Sequence, residues 1–328
     1  MRPFEYSRAD NRDHASQLAA QDKAQAIAGG TNLLDLMKLQ VETPDELVDI
    51  GRIGHREIED TEQGGLRIGA LATNTETAVH PRVRADYPVL ARAILAGATQ
   101  QLRNRATTGG NLCQRTRCYY FTNIDQPCNK REPGSGCGAI EGVARLHAVL
   151  GTSNQCVATY PGDMAVALSA LDAQVEIATG DGGSRSVPVR DFHRLPGDTP
   201  WKDNVLETGE LITGVTLPKP VAGTQIYRKV RERSSYAFAL CSVAAIVAME
   251  GDEIARADLA FGGLAHKPWH DPQVGEVLVG HRPSAELFDE AANVLLRDAR
   301  GYGENDFKIP LARRTLAAVL AEATGVEL

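Results

Sequence analysis

Apolar positions return along this chain at two spacings. Over the first third, short apolar runs that end in glycine or polar residues alternate with stretches where apolar residues recur every three or four positions. The first spacing predicts strands and the second helices. Residues 24–30 (AQAIAGG) read as a strand entering a glycine turn, and TNLLDLMKL after it as a helix. Residues 46–50 and 66–72 read as strands, and 88–98 as a helix with proline in its first turn, where a missing N–H costs nothing. From about 113 to 158 the periodicity is lost, and the segment reads as an irregular insertion. The helix predicted over 161–173 places Asp163 in its N-terminal turn, where negative charge complements the helix dipole. AQVEIAT follows as a strand and DGGSR as a hairpin turn. The proline-rich stretch 217–223 marks a domain boundary. QIYRKV, SVAAIVAME and RADLAFGGLA then read as strands of one sheet, covered by helices over 284–300 and 309–323. Strands followed by covering helices predict an α+β terminal domain.

Composition narrows the function. The chain has 328 residues, 43% hydrophobic and 23% charged, as expected of a globular protein of two or three domains. Its net charge of −7 and scattered basic residues argue against a nucleic-acid surface, which needs clustered Lys and Arg. No apolar run approaches the ~20 residues of a membrane span. The N-terminus carries acidic residues early and no apolar core, so the chain by itself reads as cytoplasmic.

Five of the six cysteines lie between Cys113 and Cys156. Such a gathering serves a metal or cluster, disulfides, or thiol redox chemistry. A reducing compartment and a chain this long speak against disulfides, and the absence of any C-x-x-C pair speaks against a zinc ribbon. Two glycine turns of like composition, AGGTN at 28–32 and ATTGGN at 106–111, each carry Thr and Asn beside a glycine pair, and the first lies between a strand and a helix. Glycines there let backbone N–H groups approach a pyrophosphate, although a tight turn without a ligand reads the same way. Neither turn matches the dinucleotide or P-loop fingerprints. No Ser/His/Asp set or acid pair stands out. His147, His193 and His266 lack ligand spacing and are expected on the surface or in the core, and Cys241 is expected to be a packed core thiol.

Six motifs in order, AGGTNLL, IGALATNTE, QLRNRATTGGNL, PGDMAVALSALDA, GELITGVTLPKP and YRKVRERSSYAFA, resemble the flavin-binding subunit of the xanthine dehydrogenase family of molybdenum hydroxylases. The likeness covers nearly the whole chain, including LAFGGLAHKP near its end. It implies an α+β architecture. Residues 1–55 and 56–220 would be the two subdomains of an FAD-binding fold of the vanillyl-alcohol-oxidase type, and 221–328 a C-terminal flavoprotein domain. It implies that Ala28, Gly29, Gly30, Thr31, Asn32, Leu33 and Leu34 wrap the FAD pyrophosphate, joined by Thr107, Thr108, Gly110 and Asn111. Gly97 and Ala98 would lie near the flavin, Asp163 on the nucleotide part, Ile212 as an apolar contact, and Lys229 near the isoalloxazine. No catalytic side chain is expected here, because the cofactors carry the chemistry.

The insertion departs from the simple members. It resembles a subset, the flavin subunits of bacterial aldehyde oxidoreductases and of 4-hydroxybenzoyl-CoA reductase, in which four cysteines bind a 4Fe–4S cluster. The aldehyde-oxidising type is the nearer, through QRTRCYY, QPCNKREPGSGC and AHKPW. By that likeness Cys118, Cys128, Cys137 and Cys156 are the ligands and Cys113, directly on the flavin turn, is spare; the competing assignment puts Cys113 in place of one of them. Lys130, Arg131 and the glycines of PGSGCG are expected to offset cluster charge and to offer N–H groups to its sulfurs. Tyr119, Tyr120 and Phe121 either shield the cluster or simply pack the insertion. The implied assembly is a heterotrimer with a large molybdenum-cofactor subunit and a small 2Fe–2S subunit. An aldehyde is oxidised to the acid on the large subunit, and electrons pass through 2Fe–2S to FAD here and on to an external acceptor. The alternatives are the reductive direction of a CoA-thioester reductase and, from another class, a zinc-binding scaffold. Co-export with a partner bearing a twin-arginine signal would take the chain to the periplasm.

Overall fold

The computed structural model describes residues 1–327, which carry three sheets in succession. In the first, β1 (Glu5–Arg8), β2 (Ala24–Ile27) and β3 (Glu46–Asp49) are parallel in the order β1-β3-β2. Parallel neighbours require crossovers, and the helices Arg12–Ala19 and Leu33–Lys38 provide them. The second sheet, antiparallel in the order β4-β5-β8-β6-β7, is built from β4 (Ile58–Asp60), β5 (Leu66–Gly69), β6 (Gln174–Ala178), β7 (Ser184–Pro188) and β8 (Leu211–Leu217). The expected hairpin joins β6 to β7 through a turn in which Gly182 has φ +85°. The third sheet is antiparallel, β11-β10-β9, from β9 (Thr224–Val230), β10 (Cys241–Glu250) and β11 (Glu253–Gly262). Helix Lys308–Thr324 covers it and helix Ala285–Leu296 packs on that helix, both amphipathic as their spacing predicted.

Strand β10 ties the halves together. Its Val243, Ala245 and Val247 face the C-terminal core, while Ala244 and Ile246 join the core that includes the helices Pro88–Ala96 and Asp163–Ala170. A strand buried on both faces reads as an unbroken apolar run, as SVAAIVAM does. The helix Asp163–Ala170 is buried at all its residues, so it shows no polar stripe.

Several elements were not foreseen: β1, β4, β8, and the helices Arg12–Ala19, Asn74–Val79 and Pro81–Asp86. Most span six residues or fewer, too short for a period to register. The strand expected over 66–72 ends at Gly69, because the Ala72 N–H turns back to the Gly69 carbonyl. The last strand ends at Gly262, where Gly263 turns with φ +72°. The insertion is irregular as expected, with one helical turn at Tyr119–Thr122. Among the described residues no helix is long and apolar enough to cross a membrane.

Candidate functional site

The first glycine turn leaves the end of β2 and enters the helix Leu33–Lys38. Gly29 is pressed against the chain before the second turn: a Cβ there would stand 2.0 Å from the Arg105 carbonyl oxygen. Gly30 has φ +72°, a conformation that costs other residues about 1–2 kcal/mol. Among the described residues, the N–H groups of Gly29, Gly30, Thr31 and Asn32 donate to no protein acceptor. They line a cleft together with Ala28 and Leu33, whereas Leu34 turns inward beneath Gly30. Unpaired donors gathered at one turn form a cradle for an anion.

The second turn has the same letters and a different role. The Asn74 N–H donates to Ala106 O at 2.8 Å, Thr108 N–H to Ala72 O at 2.9 Å, and Gly109 N–H to Ala70 O at 2.8 Å. Gly110 N–H reaches Thr107 Oγ1 at 3.2 Å, and Asn111 N–H reaches Thr107 O at 2.8 Å. The Thr108 hydroxyl is buried and donates to Ala72 O. With the N–H groups of Thr108 to Asn111 spent internally, this turn is a wall rather than a cradle; Thr107, Gly110 and Asn111 face the clefts and Thr108 does not.

Beyond that wall lies a cleft of about 280 Å³ that brings together Thr31, Asn32, Gly97, Ala98, Gly110, Asn111, Asp163 and Lys229. Asp163 is buried and doubly held: Lys229 Nζ lies 2.8 Å from Oδ2, and the Tyr227 hydroxyl donates to Oδ1 at 2.6 Å. Lys229 also reaches the Ala96 carbonyl at 3.2 Å. Gly97 packs closely beside this pair: a Cβ there would stand 3.0 Å from Asp163 Oδ2. Burial, reinforced by the Asp163 charge, raises the Tyr227 hydroxyl well above its ordinary pKa, so it remains a donor. Tyr227 escaped the sequence reading; its only signal is its position two residues before Lys229 on a strand, which puts both on one face. Ile212 lies apart, behind Gly109, in a neighbouring cleft lined by Ala28, Thr107, Gly110 and Cys113; the two clefts meet at Gly110.

Cys118, Cys128, Cys137 and Cys156 line one small cavity, while Cys113 sits on the side of the glycine turns. All six cysteines are free. Cys128 and Cys137 face one another in an isolated antiparallel bridge. Burial pushes the Cys118 thiol up to about 12 and the Cys156 thiol up to about 11. The space between the thiols is about 10 Å³, and among the described residues no three His, Cys, Asp or Glu side chains converge to hold a single metal ion. His147, expected to be an unremarkable side chain, is buried with Nε2 3.1 Å from Cys118 Sγ.

The loop residues act otherwise than expected. Arg131 donates to the carbonyls of Tyr120, Phe121, Ile124 and Gln126, stapling the loop instead of facing the thiols. The N–H groups of Gly134 and Gly136 go to Asn129 Oδ1, so they are not open to sulfur. Phe121 is fully buried, Tyr119 is exposed, and the Tyr120 hydroxyl accepts from the Val143 N–H. Cys241 is a buried core thiol, as predicted.

Residues 2–220 match the family described as the FAD binding domain in molybdopterin dehydrogenase, and residues 225–323 the CO dehydrogenase flavoprotein C-terminal domain. The chain therefore belongs to the FAD-binding medium subunits of the xanthine dehydrogenase family, and is a subunit of an FAD-dependent oxidoreductase. It is 54% identical to the aldehyde oxidoreductase FAD-binding subunit PaoB of Escherichia coli, over 98% of this chain and 99% of that one. It is 28% identical to the glyceraldehyde dehydrogenase medium chain of Sulfolobus acidocaldarius, over 88% and 86%. Among solved structures it superposes on quinoline 2-oxidoreductase from Pseudomonas putida 86 with a TM-score of 0.75 at 25% identity, covering 99% of this chain and 98% of that one. The reconstituted CO dehydrogenase of Oligotropha carboxidovorans gives a TM-score of 0.77 at 23% identity, covering 100% of each chain.

Proposed function

We propose that this chain is the electron-transfer flavin subunit of a molybdenum-dependent aldehyde oxidoreductase, working beside a large molybdenum-cofactor subunit and a small 2Fe–2S subunit. The observation that carries the flavin reading is the arc of unpaired N–H groups at Gly29, Gly30, Thr31 and Asn32, the last two of which also line the cleft that holds the Asp163–Lys229 pair. Donors without acceptors suit a pyrophosphate, and a held carboxylate suits the hydroxyl and amide groups of a nucleotide cofactor. In this reading 28–34 hold the pyrophosphate against Thr107, Gly110 and Asn111, with Thr108 supporting the turn from within. Gly97, Ala98 and Lys229 receive the flavin end, Asp163 beside them takes the nucleotide part, and Ile212 offers an apolar contact.

The four thiols Cys118, Cys128, Cys137 and Cys156 suit a 4Fe–4S cluster by type, by number and by lining one small cavity. A cluster needs more room than about 10 Å³, so binding it entails turning the thiols outward. It also entails their deprotonation, which a cationic centre drives. FAD, when bound, links two-electron and one-electron chemistry, and an iron–sulfur cluster stores single electrons. The preference for aldehyde over other substrates rests on the near-complete 54% identity to an aldehyde oxidoreductase subunit.

The test is to purify the complex and measure flavin and iron. We expect one flavin and about four iron per copy of this chain beyond the 2Fe–2S centres. Aromatic aldehydes should reduce the flavin under anaerobic conditions, and an aromatic CoA thioester should not reoxidise it. A chain without flavin absorbance, or zinc in place of iron, refutes the cofactor assignment. Turnover of the thioester alone refutes the aldehyde assignment.

A further inference from the structure

A chain of charges, half-buried except for the buried Lys130, runs from Glu42 and Arg115 on the cradle cleft to Lys130 on the thiol cavity. The Arg115 N–H donates to Asn32 Oδ1 at 3.0 Å, fixing a side chain of the cradle. The Arg115 guanidinium reaches Glu42 Oε1 and, at 2.8 Å, Asp203 Oδ2, and it stacks over the Phe121 ring at 4.7 Å. The other oxygen of Asp203 accepts from Lys130 Nζ at 2.5 Å; Lys130 is wholly buried and also donates to Pro200 O at 2.6 Å. Lys130 follows Asn129, whose amide holds Gln155 beside Cys156 and whose oxygen holds Gly134 and Gly136. Two cations and two carboxylates thus balance in a half-buried network, in which Asp203 joins Arg115 on the cradle side to Lys130 on the thiol side.

We propose that Asp203 is a positioning residue that locks the anion cradle and the thiol loop into one unit, so that retention of FAD depends on the thiol loop being intact. This rests on the proposed assignment of FAD to the cradle. Removing one partner of a buried charge pair leaves the others uncompensated, so a change at either end passes through Asp203 to the other. Coupling of this kind is reciprocal in binding free energy: whatever loosens the thiol loop weakens the hold on FAD, and the converse holds for the cluster.

The experiment compares Asp203→Asn, Asp203→Glu, Lys130→Met and the Asp203→Asn/Lys130→Met double variant in the purified complex. FAD release is followed by recovery of flavin fluorescence, and iron release by a chelator. Asp203→Asn should speed FAD release about tenfold, the equivalent of about 1.4 kcal/mol, and speed iron release as well. Lys130→Met, which lies on the thiol loop and bonds to Asp203 but to no cradle residue, should speed FAD release at least about threefold by the same conversion. The double variant should release FAD no faster than Asp203→Asn alone, and Asp203→Glu should restore most of the retention. FAD release within twofold of wild type in both single variants overturns the proposal, as do effects that multiply in the double variant. Should Asp203→Asn fail to fold, Lys130→Met and Glu42→Gln decide the same question from the two ends. A wild-type complex with flavin but no iron would refute the cluster assignment and leave the FAD comparison fully decisive. One without flavin would refute the FAD reading itself.

Discussion

Replacing Gly29 by alanine tests the cradle most directly, because the cost follows from geometry. The new Cβ would lie 2.0 Å from the Arg105 carbonyl oxygen and 2.7 Å from its carbon. Ordinary contacts begin above 3 Å, so the two segments must part by about 1 Å, or strain of the overpacking kind, about 1–3 kcal/mol, is held in the turn. Arg105 gives no easy way out, since the next carbonyl, Ala106 O, is anchored by the Asn74 N–H at 2.8 Å. The displacement therefore falls on the N–H groups of 29–32. A hydrogen bond lengthened by 1 Å is lost, and bonds to charged groups are worth about 1.5–3 kcal/mol each. FAD affinity should fall about ten- to a hundredfold per lost bond. Gly30→Ala makes the control: its φ of +72° costs about 1–2 kcal/mol, but the nearest obstacle is the movable end of the Leu34 side chain at 2.9 Å. Flavin fluorescence quenching gives the affinities and circular dichroism the melting temperatures. Affinity within threefold of wild type for Gly29→Ala, or a greater loss for Gly30→Ala, would refute the packing argument.

Three further outcomes follow from the described contacts. Lys229→Met strands a buried Asp163 with only the Tyr227 hydroxyl, a loss of about 3–5 kcal/mol; the melting temperature should drop by several degrees, and a Lys229→Met/Asp163→Asn double variant should regain part of it, which calorimetry will show. Cys113→Ala should keep the full iron content, whereas Cys137→Ala or Cys156→Ala should lower it; iron analysis showing the reverse would move Cys113 into the ligand set. Burial would raise the Asp203 carboxyl, but the charges of Lys130 and Arg115 outweigh it and hold the pKa at about 2, below the ordinary 3.8. A depressed carboxylate stabilises the fold above its unfolded pKa and loses that contribution as pH falls through the folded value. The stability gap between wild type and Asp203→Asn should therefore narrow by about 2 kcal/mol between pH 4 and 2, and a gap constant over that range in acid denaturation would contradict it.

Much of this protein was written locally. The apolar run of β10, the helix that begins at Asp163, the two C-terminal helices and the hairpin after β6 each follow from spacing and turn chemistry within a dozen residues. So does the need for glycine where the chain enters the first helix of the cradle. The gathering of cysteines and the absence of C-x-x-C pairs narrowed the thiol chemistry before any contact was known.

What the tertiary structure alone decided is pairing at a distance. The turns at 28–32 and 106–111 read alike, yet the first keeps a run of free N–H groups while those of Thr108 to Asn111 are taken by Ala70, Ala72 and Thr107. Asp163 and Lys229, separable in sequence as two independent contacts, form one buried ion pair closed by Tyr227. Arg131 and the loop glycines, plausible sulfur partners by composition, spend their donors on the loop itself, while His147, without any ligand spacing, meets Cys118. Each of these turns on which donor finds which acceptor once the chain is compact. Periodicity shows which face of an element is apolar; it carries no information on which polar groups from remote segments are left to satisfy one another when that face is buried.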